Sequence, residues 1–137
     1  MTRPEGPTAP TLGKATFDGV PADTHGGVTR QRVMVGDITA TRVAYEPGAA
    51  WSRDMARDMG SSSCPVPHVA VVVSGTLRVR MDDGAEEDFA AGEVMVLPAG
   101  HDAWPVTDEG AVFVEVSHGT EHLAGTDGSA GGPRVLA

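Results

Sequence analysis

Short β-like runs separated by turn residues every 8 to 12 positions constrain this chain more than any other feature, because that spacing belongs to sandwiches and barrels. The runs read VTRQRVMVGD, ITATRVAYEPG, AAWSRDM, HVAVVVSG, TLRVRMDDG, AEEDFAAG, EVMVLPAG and AVFVEVSHG, all between Ala15 and Leu123. The 18 glycines and 10 prolines supply the punctuation. The apolar residues lean on valine rather than leucine, and β-branched side chains suit a pleated surface. No stripe of helical period and length interrupts the pattern, apart from one short turn expected near Met55 to Met59. An all-β class is expected.

A chain of 137 residues is one domain by length. Residues 1–14 and 124–137 lack apolar periodicity and are expected to be a flexible arm and a flexible tail around a domain at 15–123. The net charge of −9 argues against nucleic acid as a partner, since phosphate binding needs a cationic face. The single cysteine, Cys64, excludes an internal disulfide, and with no apolar leader after Met1 the cytoplasm is the expected compartment. No stretch reaches the roughly 18 apolar residues of a membrane helix.

The clearest hairpin is TLRVRMDDGAEEDF, where Leu77, Val79 and Met81 alternate with Arg78 and Arg80 before a turn at Asp83 and Gly84. The acidic stretch MDDGAEED is a solvated hairpin tip rather than a calcium loop, because it lacks the alternating oxygen ligands and closing glutamate of such a loop. HVAVVVSG is small and apolar on both faces, so that strand is expected to be covered on both sides, by the N-terminal segment or by a second subunit.

Five histidines occur, and His68 and His101 stand out because each borders an apolar strand where a sandwich has its mouth. Strand alternation puts His68 on the face of Ala70 and Val72. It is either a buried histidine satisfied by a carbonyl or carboxylate, or a ligand. Cys64 precedes it by four residues in CPVPH, with two prolines holding the chain extended, and thiolate with imidazole is a zinc-ligand pair at a usable spacing. The alternative for Cys64 is a small buried hydrophobe. Trp51 and Trp104 are either packing residues or walls of a substrate pocket. Asp102 either caps the turn after PAG or orients an imidazole or substrate. Glu115 shares a strand face with Phe113 and Ala111, and is either a pocket acid or base or a solvated surface group.

These residues resemble a cupin. That family's second motif reads Gly, five residues, Pro-x-Gly, two residues, His, and GEVMVLPAG from Gly92 to Gly100 matches its beginning. The first motif, His-x-His, three or four residues, Glu, six residues, Gly, is matched in spacing by His68 standing seven residues before Gly75. The ligand types depart from the pattern: His68 stands where the glutamate belongs, Ser62 and Cys64 where the two histidines belong, and Ala103 where the final histidine belongs. The chain is similar in more detail to a narrower group of small single-domain cupins through PGAAW, the Cys64 to His68 spacing, SG, DDG, AGE and GHDAW.

The resemblance implies a double-stranded β-helix, or jelly-roll, barrel and groups Cys64, His68, His101 and Trp104 together. His101, two residues before Ala103, would face the interior with it and reach toward the space of the missing histidine. Three protein ligands then suit a catalytic divalent ion, with sulfur favouring zinc, iron or nickel as alternatives, and no metal as the other outcome. The function expected is non-redox isomerase, cyclase or lyase chemistry on a small organic substrate, with His101 and Asp102 as catalytic groups. A ligand- or metal-sensing module, a metal-dependent dioxygenase and metal-free acid–base catalysis are the alternatives. A homodimer is expected, since cupins often pair.

Overall fold

The computed structural model describes residues 12–118. The all-β expectation holds: eight strands carry the fold, joined by two single-turn helices. In chain order these are β1 (Asp23–His25), β2 (Val28–Val35), β3 (Ile38–Tyr45), α1 (Trp51–Asp54), α2 (Ala56–Met59), β4 (His68–Met81), β5 (Glu86–Ala90), β6 (Val94–Leu97), β7 (His101–Pro105) and β8 (Ala111–His118).

Every pairing is antiparallel, and β4 organises them. Its first half pairs with β6 on one side and β8 on the other, continuing through β3 and β2 to β1. Its second half pairs with β5 and β7. One strand thus belongs to two sheets, which requires a bend in its middle. A register shift between Val72 and Ser74 supplies it, followed by Gly75 at φ +70°. Only glycine suits that conformation, and a side chain there would run into the Gly110 carbonyl. HVAVVVSG and TLRVRM are therefore one bent strand and not two runs parted by a turn.

Alternation decides what is buried. In β6, Val94 and Val96 are 65% and 68% exposed whereas Met95 and Leu97 are 0% and 4% exposed. In β4, His68, Ala70, Val72, Leu77 and Val79 face inward, with Arg78 and Arg80 outward, as the hairpin pattern requires. Full burial of side chains such as Leu77 and Met95 stabilises by roughly 1.5–3 kcal/mol each.

One sequence expectation needs correction. AAWSRDM is helical, because Trp51, Met55 and Met59 recur at every fourth position and form a stripe that faces the interior. The Asp54 carboxylate caps this segment by accepting a hydrogen bond from Ala50 N at 3.0 Å, and Gly60 ends it at φ +70°. Among the described residues of one chain nothing covers the outer face of the AVVV strand, where Val71 and Val73 are 38% and 50% exposed, and the second subunit expected as an alternative cover is not part of this structure. Residues 17–20 lie beside β2, where Gln31 Nε2 donates to the carbonyls of Phe17 and Val20 at 3.1 and 2.9 Å.

Most of the expected arm, the whole of the expected tail and His122 lie outside the described residues. His118 is described and pairs with Asp37, Nε2 to Oδ2 at 3.0 Å. No helix among the described residues is long and apolar enough to cross a membrane.

Candidate metal centre

HDAWP is a strand, not the turn its Pro-Ala-Gly approach suggests, and that places His101. As the first residue of β7, His101 shares the inward face with Ala103, both buried. Cys64 arrives beside it through a short backbone bridge: Cys64 N donates to His101 O and Gly100 N to Cys64 O, each at 2.7 Å. The prolines at 65 and 67 keep the following residues extended until His68 opens β4 and turns its ring to the same interior.

The three side chains converge. A ligand atom from each of Cys64, His68 and His101 lies within 4.8 Å of the others. Cys64 Sγ stands 3.4 Å from His68 Nε2, and the two imidazoles meet edge to face with centroids 5.3 Å apart. The outer nitrogen of each ring is already engaged. His68 Nδ1 is 2.7 Å from Glu115 Oε2, and His101 Nδ1 donates to Pro98 O at 2.8 Å. These bonds leave both Nε2 atoms for the centre, the orientation that carboxylate and carbonyl partners impose on metal-binding histidines.

The electrostatics favour a ligand-ready thiolate. Burial pushes the Cys64 thiol up, but hydrogen bonds with His101 and His68 and their charge outweigh it, so Cys64 ionises below the ordinary thiol range. Burial lowers the affinity of His68 for a proton, but its bonds to Cys64 and Glu115 prevail and raise its pKa. A cation entering between them replaces that proton, which is how metal binding couples to ionisation. Cysteine with two imidazoles is a borderline-soft donor set that fits zinc.

A cavity of about 120 Å³ adjoins these residues. It is slightly smaller than the cavities of about 150 Å³ that admit benzene. Trp51, Met55 and Met59 from the helical segment line it together with Glu115, which is only 8% exposed and therefore not the solvated group that was its alternative. The structure does not bring Asp102 or Trp104 to the centre, because both lie on the face of β7 opposite His101 and Ala103. Asp102 instead accepts from Ser52 N at 2.9 Å and from Ala103 N at 2.8 Å, and Trp104 sits across from Arg78. Sequence reasoning missed Arg30, Arg32, Thr41 and Tyr45, which also line the cavity. Alternation along β2 and β3 puts Arg30 with Arg32 and Thr41 with Tyr45 on shared faces, but only the pairing of β2, β3 and β8 turns those faces to the cavity.

No protein-family model and no curated protein matches the chain. Solved structures do. A sugar phosphate isomerase of the cupin superfamily from Silicibacter pomeroyi is 21% identical over 75% of this chain and 73% of its own, with a TM-score of 0.54. A protein of unknown function from Rhizobium leguminosarum is 22% identical over 80% of this chain and 98% of its own, with a TM-score of 0.55. A single-substitution variant of the oxalate decarboxylase of B. subtilis is 17% identical over 97% of this chain, which spans 35% of that protein, with a TM-score of 0.59. Structural neighbours are thus cupin superfamily members, and the fold is a cupin jelly roll.

Proposed function

We propose that the chain is a small metal-dependent enzyme in which Cys64, His68 and His101 hold one divalent cation, zinc by donor type, for non-redox isomerase, cyclase or lyase chemistry on a small organic substrate. The observation that carries this reading is the convergence of two buried donors and a half-buried one, each imidazole with its outer nitrogen tied off, beside a cavity sized for a small molecule. A bound zinc ion would polarise a substrate carbonyl or hydroxyl as a Lewis acid. Glu115 holds the His68 ring, the Trp51 and Met55 wall limits water, and Tyr45 and Thr41 present hydroxyls to the cavity. Three protein ligands rather than four is the number found in catalytic zinc sites. Two of the structural neighbours are named for an isomerase and a decarboxylase, reactions of the isomerase and lyase kinds.

A second reading rests on a specific distance pattern. Cys64 Sγ to His68 Nε2 at 3.4 Å and His68 Nδ1 to Glu115 Oε2 at 2.7 Å also form a thiol–imidazole–carboxylate line of the kind that activates a nucleophile. Elemental analysis of protein purified without an affinity tag separates the two. One zinc per chain, lost in His68→Ala and His101→Ala proteins that keep their circular dichroism, supports the metal centre. Substoichiometric metal, with Cys64 rapidly alkylated by iodoacetamide, favours the nucleophile.

A further inference from the structure

The chain carries 19 acidic residues against 10 lysines and arginines, yet the cavity beside the metal centre inverts that balance. Two arginines line it, Arg30 and Arg32, and only one acid, Glu115. Glu115 is engaged by His68. Arg30 is engaged as well, since its Nε donates to Asp23 at 3.1 Å. The Arg32 side chain is exposed and has no hydrogen bond or ion pair among the described residues, and it reaches the cavity from the same face of β2 as Val28 and Arg30. A guanidinium left without a counter-charge at a cavity mouth is an anion receptor with an unfilled fork of donors.

Two further groups point the same way. Thr41 and Tyr45 are 6% and 5% exposed, line the same cavity, and have no hydrogen-bond partner for their hydroxyls among the described residues. Their oxygens are not sealed in the core, so both hydroxyls face the cavity, where a ligand or water can bond to them. The register places Thr41 beside Arg32, with Tyr45 four positions further along β3 opposite Val28. Arg32 pairs with Thr41 and Thr41 with Glu115, forming one inward row across three strands. At strand spacing that row spans about 10 Å from the unpaired cation to the carboxylate behind His68.

We infer that the substrate is a small organic anion whose carboxylate or phosphate is received by Arg32, with Thr41 donating to it, while its reacting end lies toward Cys64, His68 and His101. This rests on the metal-centre reading above and names the class of molecule that centre takes. The row length suits a compound on the order of six to eight heavy atoms that fills the cavity at its reacting end and reaches out of its mouth to Arg32.

Isothermal titration of the zinc-loaded full chain with malonate, inorganic phosphate and the neutral analogue malonamide tests it. At least one of the two anions binds, malonamide binds at least tenfold more weakly, and Arg32→Met weakens the anion tenfold or more without changing zinc content or thermal midpoint. A preference for malonate or for phosphate tells which acid the receptor serves. The inference is overturned if neither anion binds, if malonamide matches malonate, or if Arg32→Met binds as the unsubstituted protein does. The same titration on Cys64→Ala keeps the two readings apart. Anion binding there that still depends on Arg32 supports the receptor even where the metal centre fails. Full zinc with anion binding indifferent to Arg32 removes the receptor alone.

Discussion

His68 Nδ1 lies 2.7 Å from Glu115 Oε2 across the β4–β8 sheet, and that contact turns the other ring nitrogen toward Cys64. Glu115 is not a donor to the centre. It is the residue that decides which nitrogen of His68 is. Replacing it by glutamine keeps the shape and removes the charge, and losing such a partner costs roughly 10–100-fold in metal affinity. Zinc affinity of Glu115→Gln, read by chelator competition, is expected to fall by that amount. An affinity within twofold of the unsubstituted protein contradicts the role.

Asp102 is expected to serve stability and not chemistry. Its Oδ1 accepts from Ser52 N at the start of α1, so it caps a helix from a distant strand. Asp102→Ala should cost about 1 kcal/mol, as lost caps do, lowering the melting midpoint by roughly 4 °C. Zinc content should stay at one equivalent. Loss of metal in a folded Asp102→Ala protein contradicts this placement.

Asp54 links the same helical segment to pH. A hydrogen bond from Arg53 depresses its carboxyl pKa, burial offsets part of that, and the backbone amides of Ala50 and Gly27 lower it further. The folded pKa therefore lies below the unfolded one, so the stabilisation is complete above the unfolded value of about 3.9 and vanishes as pH falls through the folded value. The melting-point gap between the unsubstituted protein and Asp54→Asn should be widest near neutrality and close below about pH 4. A gap that grows on acidification contradicts the sign.

Gly75 sets the bend by which β4 serves two sheets. Alanine there meets both a left-handed backbone, φ +70°, and the carbonyl of Gly110. Backbone strain of this kind costs of order 1–3 kcal/mol before the clash is counted. Gly75→Ala should lower the urea midpoint more than Gly84→Ala, since a side chain at the hairpin turn meets nothing. Equal effects contradict the proposed bend.

Much of this architecture was legible because strand alternation is a local rule. His68, Ala70 and Val72 share a face in the sequence and in the structure, and so do His101 and Ala103. The turn near Met55 to Met59 was legible, but the helical start at Trp51 was missed because a stripe of three residues, Trp51, Met55 and Met59, is too short to outweigh its strand-like neighbours. Trp104 and Asp102 were grouped with His101 by proximity in the chain, although period-two alternation sends them to the other face. The arginine and hydroxyl wall was not visible because it is assembled by register: Arg32, Thr41 and Glu115 meet only once β2, β3 and β8 pair. The Cys64–His101 bridge is likewise a long-range pairing that no local pattern announces.

Cobalt substitution tests the central claim most directly, because a thiolate bound to cobalt(II) has a charge-transfer absorption that imidazole and carboxylate ligands lack. The full chain is expected to take up one cobalt(II) with that band, and Cys64→Ser to lose the band while His68→Ala and His101→Ala lose the metal. Cobalt bound without the band, or a band that survives Cys64→Ser, contradicts a centre built from Cys64, His68 and His101.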